Sequence, residues 1–148
     1  MTLKELSQLY YLNREIEQDE LRLQELQARA TQVTQQTSGM PRGGGDQQKI
    51  ERYVADIIDL KAIIAAKQQQ CIHEQSRLER YIADIPDSLT RQIFQLRFIS
   101  GLNWVQVAFS VGGGNTEEGV RKRVYRYMNM QTGAENKGCP KMSGVKNL

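Results

Sequence analysis

The chain has 148 residues, 39% of them hydrophobic, with 20 basic and 17 acidic side chains and a formal net charge of +3. That is enough for one modest core, or for a small domain with an extension. No apolar run approaches the roughly 18 residues of a membrane helix, and the N-terminal MTLKELSQLYY lacks the basic-then-apolar order of a secretory signal, so a cytoplasmic location without membrane contact is expected.

Residues from about 2 to 36 are predicted to form one helix. Leu9, Leu12, Ile16, Leu23, Leu26, Ala30 and Val33 recur on alternating three- and four-residue steps, the a/d spacing of a coiled coil. Asp19 interrupts that seam at a d-like position, where a polar residue costs stability but can fix register. The segment 37–45 then breaks the pattern with Gly, Pro and Ser and forms a connector in which the chain can reverse. Its three consecutive glycines lack a preceding strand and a following Lys-Ser/Thr, so they do not make a phosphate loop.

A second helix is predicted over about 46–85, with Asp46 as its N-cap. Every seventh residue gives Ile50, Ile57, Ile64, Cys71, Leu78 and Ile85. Tyr53, Leu60 and Tyr81 fill three of the intervening d positions, and Lys67 and Glu74 weaken the middle. Val54, Ile58 and Ile82 are expected to widen the stripe on one side. Two such helices imply an antiparallel hairpin or an oligomeric coiled coil, so residues 1–85 read as a helical arm and a homo-oligomer through that arm is one expected partner. The arm stops at Ile85-Pro86, because the residue before proline is pushed away from helical angles.

Residues 86–129 read as a small head of three short helices. Asp87 or Ser88 caps the first, whose inward face holds Leu89, Ile93, Phe94 and Leu96 before Gly101 ends it. Asn103 can cap the second, in which Trp104, Val107, Ala108 and Val111 share a face. The third begins after Gly112-Gly113-Gly114, with Asn115 and Thr116 as competing caps, and turns Val120, Val124, Tyr127 and Met128 inward. Residues 130–148 show no buried face and read as a tail that is disordered, or ordered only on binding. The expected fold class is therefore all-α, a long helical hairpin or coiled-coil arm followed by a three-helix helix-turn-helix domain.

The mild net charge is unevenly spread. From Asn115 onward seven basic residues face three acidic ones, while residues 1–48 carry five basic and seven acidic. The third head helix holds the candidate DNA-binding set Glu118, Arg121, Lys122, Arg123, Tyr125 and Arg126. Arg and Lys pair with guanine acceptors and Glu accepts from the cytosine amino group. Arg123 and Arg126, with the more distant Arg91 or Arg97, are expected to meet phosphates. On charge alone, solvated helix cations compete with this reading; the helix-turn-helix in front of them favours DNA.

The stretch LTRQIFQLRFISGLNWVQVA resembles region 4 of bacterial sigma factors, through Ile93, Leu96, Arg97, Phe98, Gly101, Leu102, Val107 and Ala108. Val120 followed by Arg121-Lys122-Arg123 continues the likeness, which covers about 40 residues. The turn at 110–115 is about two residues longer than the sigma turn. No counterpart of the sigma segment that grips the second promoter element is present. The resemblance thus implies a sequence-specific double-stranded DNA-binding transcription regulator of phage or prophage type, with bacterial RNA polymerase as a further partner. A DNA-binding phage assembly or packaging component that oligomerises through its arm is the alternative.

An enzyme is not expected. Cys71 and Cys139 are far apart with no ligand-spaced neighbours, His73 has no partner pattern, and no nucleophile or carboxylate pair stands out. No cofactor, metal or catalytic residue is therefore predicted.

Overall fold

A computed structural model of the chain describes residues 1–37 and 44–135. All regular elements among these residues are helical. They are α1 (Leu3–Leu6), α2 (Gln8–Thr37), α3 (Gly44–Ala83), α4 (Ser88–Phe94), a π-helical turn (Gln95–Ile99), α5 (Trp104–Val111) and α6 (Glu117–Glu135). The chain divides into two compact units: residues 7–78, and residues 1–6 with 79–148.

The unit 7–78 is a hairpin closed within one chain. Ile16, Leu60 and Ile64 form a buried cluster, with Leu23, Leu26 and Cys71 packed against it. The Cys71 thiol donates to Asn13 Oδ1 at 3.3 Å, and Lys67 Nζ meets Asp19 Oδ2 at 2.5 Å. Early residues of α2 thus meet late residues of α3, so the helices are antiparallel. Two of the three polar interruptions of the seam, Asp19 and Lys67, face each other, and Glu15 adds a second carboxylate 3.5 Å from the Lys67 ammonium. The Asp19 hydrogen bond, above the other contacts, pushes the Lys67 amine above its ordinary value. A shift by one residue would strand both charges in an apolar seam, so the pair pins the register. Partial burial pushes the Cys71 thiol above its ordinary value.

The hairpin departs from expectation on one flank. Val54 and Ile58 do not widen the seam; they are 47% and 61% exposed, and Ile72 beside them is 59% exposed. A two-stranded coil covers only the a and d positions of each helix. Asp46 lies inside the first turn of α3, where its charge complements the helix dipole, instead of at the cap. The connector at 38–43 lies outside the described residues.

The second unit takes in both ends of the arm. Thr2 and Glu5 cap α1 reciprocally, Thr2 Oγ1 accepting from the Glu5 N–H at 3.2 Å and Glu5 Oε2 accepting from the Thr2 N–H at 2.6 Å. The predicted single helix is interrupted at Ser7, a turn between α1 and α2. Leu6, Ile82 and Ile85 are buried with Ile93, Phe94, Phe98, Val107, Val120, Val124 and Met128. Phe94 is the hub: its ring lies 5.4 Å from Phe98, 5.5 Å from Tyr127 in an edge arrangement and 6.4 Å from Tyr81.

The π-helical turn is the element that apolar spacing did not predict. The Ser100 N–H donates to the Gln95 carbonyl, five residues back, at 3.0 Å. Widening the helix there swings Phe98 beneath Phe94 and leaves Leu96 half-buried. α6 also runs to Glu135, beyond the last inward residue Met128, so part of the predicted tail is helical. Residues 136–148, including Cys139, lie outside the described residues.

Candidate nucleic-acid interface

α5 and α6 are joined by a turn that only glycine makes without strain. Gly112, Gly113 and Gly114 all have positive φ, at 67°, 65° and 76°. Asn115 closes this turn, its Nδ2 donating to the Gly112 carbonyl at 2.7 Å. Capping of α6 falls to Thr116, whose Oγ1 accepts from the Gly119 N–H at 3.1 Å. Asn115 and Glu118 therefore do not form a capping box. On α5 the expected cap holds: Asn103 Oδ1 accepts from the Gln106 N–H, and Gln106 Oε1 accepts from the Asn103 N–H.

With Val120, Val124 and Met128 buried, the opposite face of α6 presents Glu118, Lys122, Tyr125, Arg126 and Asn129, spaced i, i+4, i+7, i+8 and i+11. Arg121 flanks this stripe and is exposed. Lys122 Nζ lies 2.7 Å from Glu118 Oε1, a pair in which both side chains are mostly exposed. Such a pair contributes only about 0.3–0.5 kcal/mol and yields readily to a stronger anion. Among the described residues, none pairs with the Arg121 or Arg126 guanidinium.

Arg123 is placed elsewhere. Its Nε donates to Thr90 Oγ1 at 3.0 Å and its Nη2 to Asp87 Oδ2 at 2.8 Å, tying α6 to the start of α4. Asp87 is itself the N-cap of α4, accepting from the Thr90 N–H at 3.0 Å and from the Thr90 hydroxyl at 2.5 Å. The Thr90 hydroxyl first, then Arg123 and the Thr90 N–H, hold the Asp87 carboxyl well below the ordinary carboxylate range.

Arg91 and Arg97 are likewise engaged within the head. Arg91 Nη1 donates to the carbonyls of Ile85 and Pro86 at 2.7 and 3.0 Å, closing the bend after α3. Arg97 Nη1 donates to the Leu102 carbonyl at 2.8 Å and its guanidinium stacks 4.6 Å above the Trp104 ring. These two arginines, offered by the sequence as phosphate contacts, brace the two breaks in the head's helical path. Their partners are backbone carbonyls brought near by the bends, which residue spacing does not reveal.

The Asp87 cluster makes the head's stability depend on pH. A carboxyl depressed in the folded state stabilises it fully above the unfolded value, about 4 for an aspartate, and that contribution is lost as pH falls below it. Asp87→Asn retains a capping side chain but removes the titration. The expected outcome is a flatter loss of stability between about pH 5 and pH 2, measured as urea midpoints from the fluorescence of Trp104, the only tryptophan. An acid slope equal to that of the unaltered chain would exclude Asp87 as its source.

A separate groove of about 480 Å³ on the head is lined by Ile82, Ala83, Gln92, Gln95 and Leu96, with Arg91 and Glu79. Its lining has no histidine and no paired carboxylates. Among the described residues no three His, Cys, Asp or Glu side chains are placed to hold a metal ion, and no helix is long and apolar enough to cross a membrane. No family model, curated protein or solved structure matches the chain.

Proposed function

We propose that the chain is a sequence-specific double-stranded DNA-binding transcription regulator, resembling sigma region 4 and of phage or prophage origin, that lays α6 in the major groove. The observation that supports this most is the outward stripe of α6, with exposed Lys122, Tyr125 and Arg126, Arg121 at its edge and a buried face behind it. A helix is about 10–12 Å across with its side chains, which suits a major groove about 12 Å wide.

In this reading Glu118 stands near the N-terminal end of α6 and reads a cytosine amino group. Arg121, Lys122 and Arg126 contact guanine edges or phosphates, and the Tyr125 hydroxyl donates to the backbone. Lys122 exchanges its Glu118 carboxylate for DNA, which frees that carboxylate to accept from a base. Arg123 contributes indirectly, by fixing α6 against α4. RNA polymerase as a second partner rests on the sigma resemblance alone.

The test is selection of bound duplexes from a random pool, followed by a salt titration on the winning sequence. Enrichment of a defined site is expected, with log affinity falling linearly in log salt at a slope of about −0.9 for each phosphate neutralised. A pool that stays random through successive rounds would overturn the proposal.

A further inference from the structure

We infer that Phe109 is a further specificity-determining residue of the surface that α6 presents to DNA, its ring packing on the C5 methyl of a thymine beside the bases α6 reads. This rests on the DNA reading of α6 and adds α5 to it. Phe109 is 89% exposed, the most of any large hydrophobic side chain among the described residues, and Val105, one turn before it, is 59% exposed. α5 has no charged side chain. It brings no cation to set against a phosphate, and what its outward face offers is apolar surface.

Helical geometry puts that surface next to the cations of α6. The helices α4, α5 and α6 all pack on one another. Ser110 opens onto the groove it shares with Ser88 and Gln92 of α4, so that flank of α5 borders α4. Phe109 and Val105 lie about 100° and 140° round the helix from Ser110, on the flank turned away from α4. On α6, Arg123 reaches Thr90 and Asp87 at the start of α4. Arg121 lies about 160° round from Arg123, again turned away from α4. In three mutually packed helices, the flank of α5 turned from α4 is the one turned to α6, and the converse holds for α6. Val105, Phe109 and Arg121 therefore edge the same seam between the two helices, on its outward side. The turn between them is tight, the Asn115 N–H donating to the Gly112 carbonyl at 3.2 Å. It holds Phe109 close to the end of α6 that carries Glu118 and Arg121.

A phenyl ring neither donates nor accepts, so it gains little at a phosphate. The major groove offers one apolar group, the thymine C5 methyl, and phenylalanine is among the side chains that contact it. A ring beside a guanidinium thus matches a groove edge where a methyl stands next to guanine acceptors. The exposed Arg121 at its side also favours a polyanion over an apolar protein surface, which would bury that charge without a counterion.

The test uses the full chain and its selected duplex, with each thymine replaced in turn by deoxyuridine, which lacks only the methyl. At one thymine the exchange is expected to weaken binding about fourfold, the equivalent of one methyl-sized apolar group returned to water. Phe109→Ala is expected to weaken binding of the thymine duplex by at least as much, and to bind the two duplexes equally. Its helical circular dichroism and Trp104 urea midpoint should match the unaltered chain, because the ring already lies in water. A selected site with no thymine sensitive to the exchange, or an exchange penalty that persists in Phe109→Ala, would overturn the inference. So would unaltered affinity in Phe109→Ala, which would assign the ring to a protein partner instead. If Lys122→Glu with Arg126→Glu still abolishes binding in those cases, DNA reading by α6 stands and only the part given to Phe109 falls. A random pool that enriches no site overturns both.

Discussion

Lys122→Glu combined with Arg126→Glu is expected to weaken binding of the selected duplex by about 100-fold or more, since each lost contact to DNA is worth about 1–3 kcal/mol. Both side chains lie on the outward stripe of α6, and neither contributes to the buried core. The melting temperature and helical circular dichroism should therefore stay close to those of the unaltered chain. The loss should also shrink as salt rises, because the two removed cations would have displaced counterions, and the log–log slope should fall by about one for each.

Arg123→Glu supplies the contrast. Its guanidinium is held by Asp87 and Thr90, so reversal sets two carboxylates against each other at the start of α4. The expected signature is a lower melting temperature of the head, with DNA affinity reduced only as far as the folded fraction falls. If the Lys122/Arg126 double variant bound DNA as well as the parent, α6 could not be the reading helix. Equal effects of all three substitutions on stability would contradict the division of labour between the two sides of α6.

How much of this was legible in the sequence varies with the range of the interaction involved. The arm's seam was readable because burial between two helices repeats every three or four residues, and Leu9, Leu12, Ile16, Leu60 and Ile64 occupy those positions and are buried. Caps were legible in part: Asn103 and Asp87 act where their side chains reach the next turn, whereas Asp46 lies inside its helix and Asn115 yields the α6 cap to Thr116. Partnerships across long separations were not. Asp87 and Arg123 are 36 residues apart, so on the helical wheel Arg123 resembled every other cation of α6. Asp19 and Lys67 each looked like a flaw until the hairpin brought them together. The π-helical turn was hidden for another reason. It leaves no composition signature, yet by one extra residue in the turn it decides that Phe98, and not Leu96, is buried.

The candidate site follows from this. An α6 stripe was predictable as a surface because nothing apolar interrupts it, but which of its cations are available depends on how the head closes. Arg91, Arg97 and Arg123 are drawn inward to hold bends and caps, and this concentrates the available positive charge on Arg121, Lys122 and Arg126. The head thus separates arginines that build it from those that face outward, and the three glycines at 112–114 set where that outward face begins.

Phe94→Ala is expected to be the most damaging single change to the head. The side chain is fully buried and touches the rings of Tyr81, Phe98 and Tyr127, from α3, the π-helical turn and α6. Truncating a buried phenylalanine costs about 3–5 kcal/mol through lost transfer energy and an unfilled cavity. A small domain has about 5–15 kcal/mol in all, so the variant head lies near its unfolding limit. Relaxation would not close the gap, since the three surrounding rings sit on separate elements. Phe94→Leu, which leaves a much smaller void, should lose correspondingly less. Trp104 reads the outcome directly, because it lies in the head and no other tryptophan contributes. Its urea midpoint should drop steeply in Phe94→Ala, and DNA binding should be lost with it. The hairpin's own seam of Ile16, Leu60 and Ile64 is untouched, so a large part of the helical signal should survive at denaturant concentrations where the Trp104 signal is already that of an unfolded chain. Loss of both signals at one midpoint would show that the two units unfold as one. An unchanged Trp104 midpoint would show that Phe94 is not the hub on which the head is built.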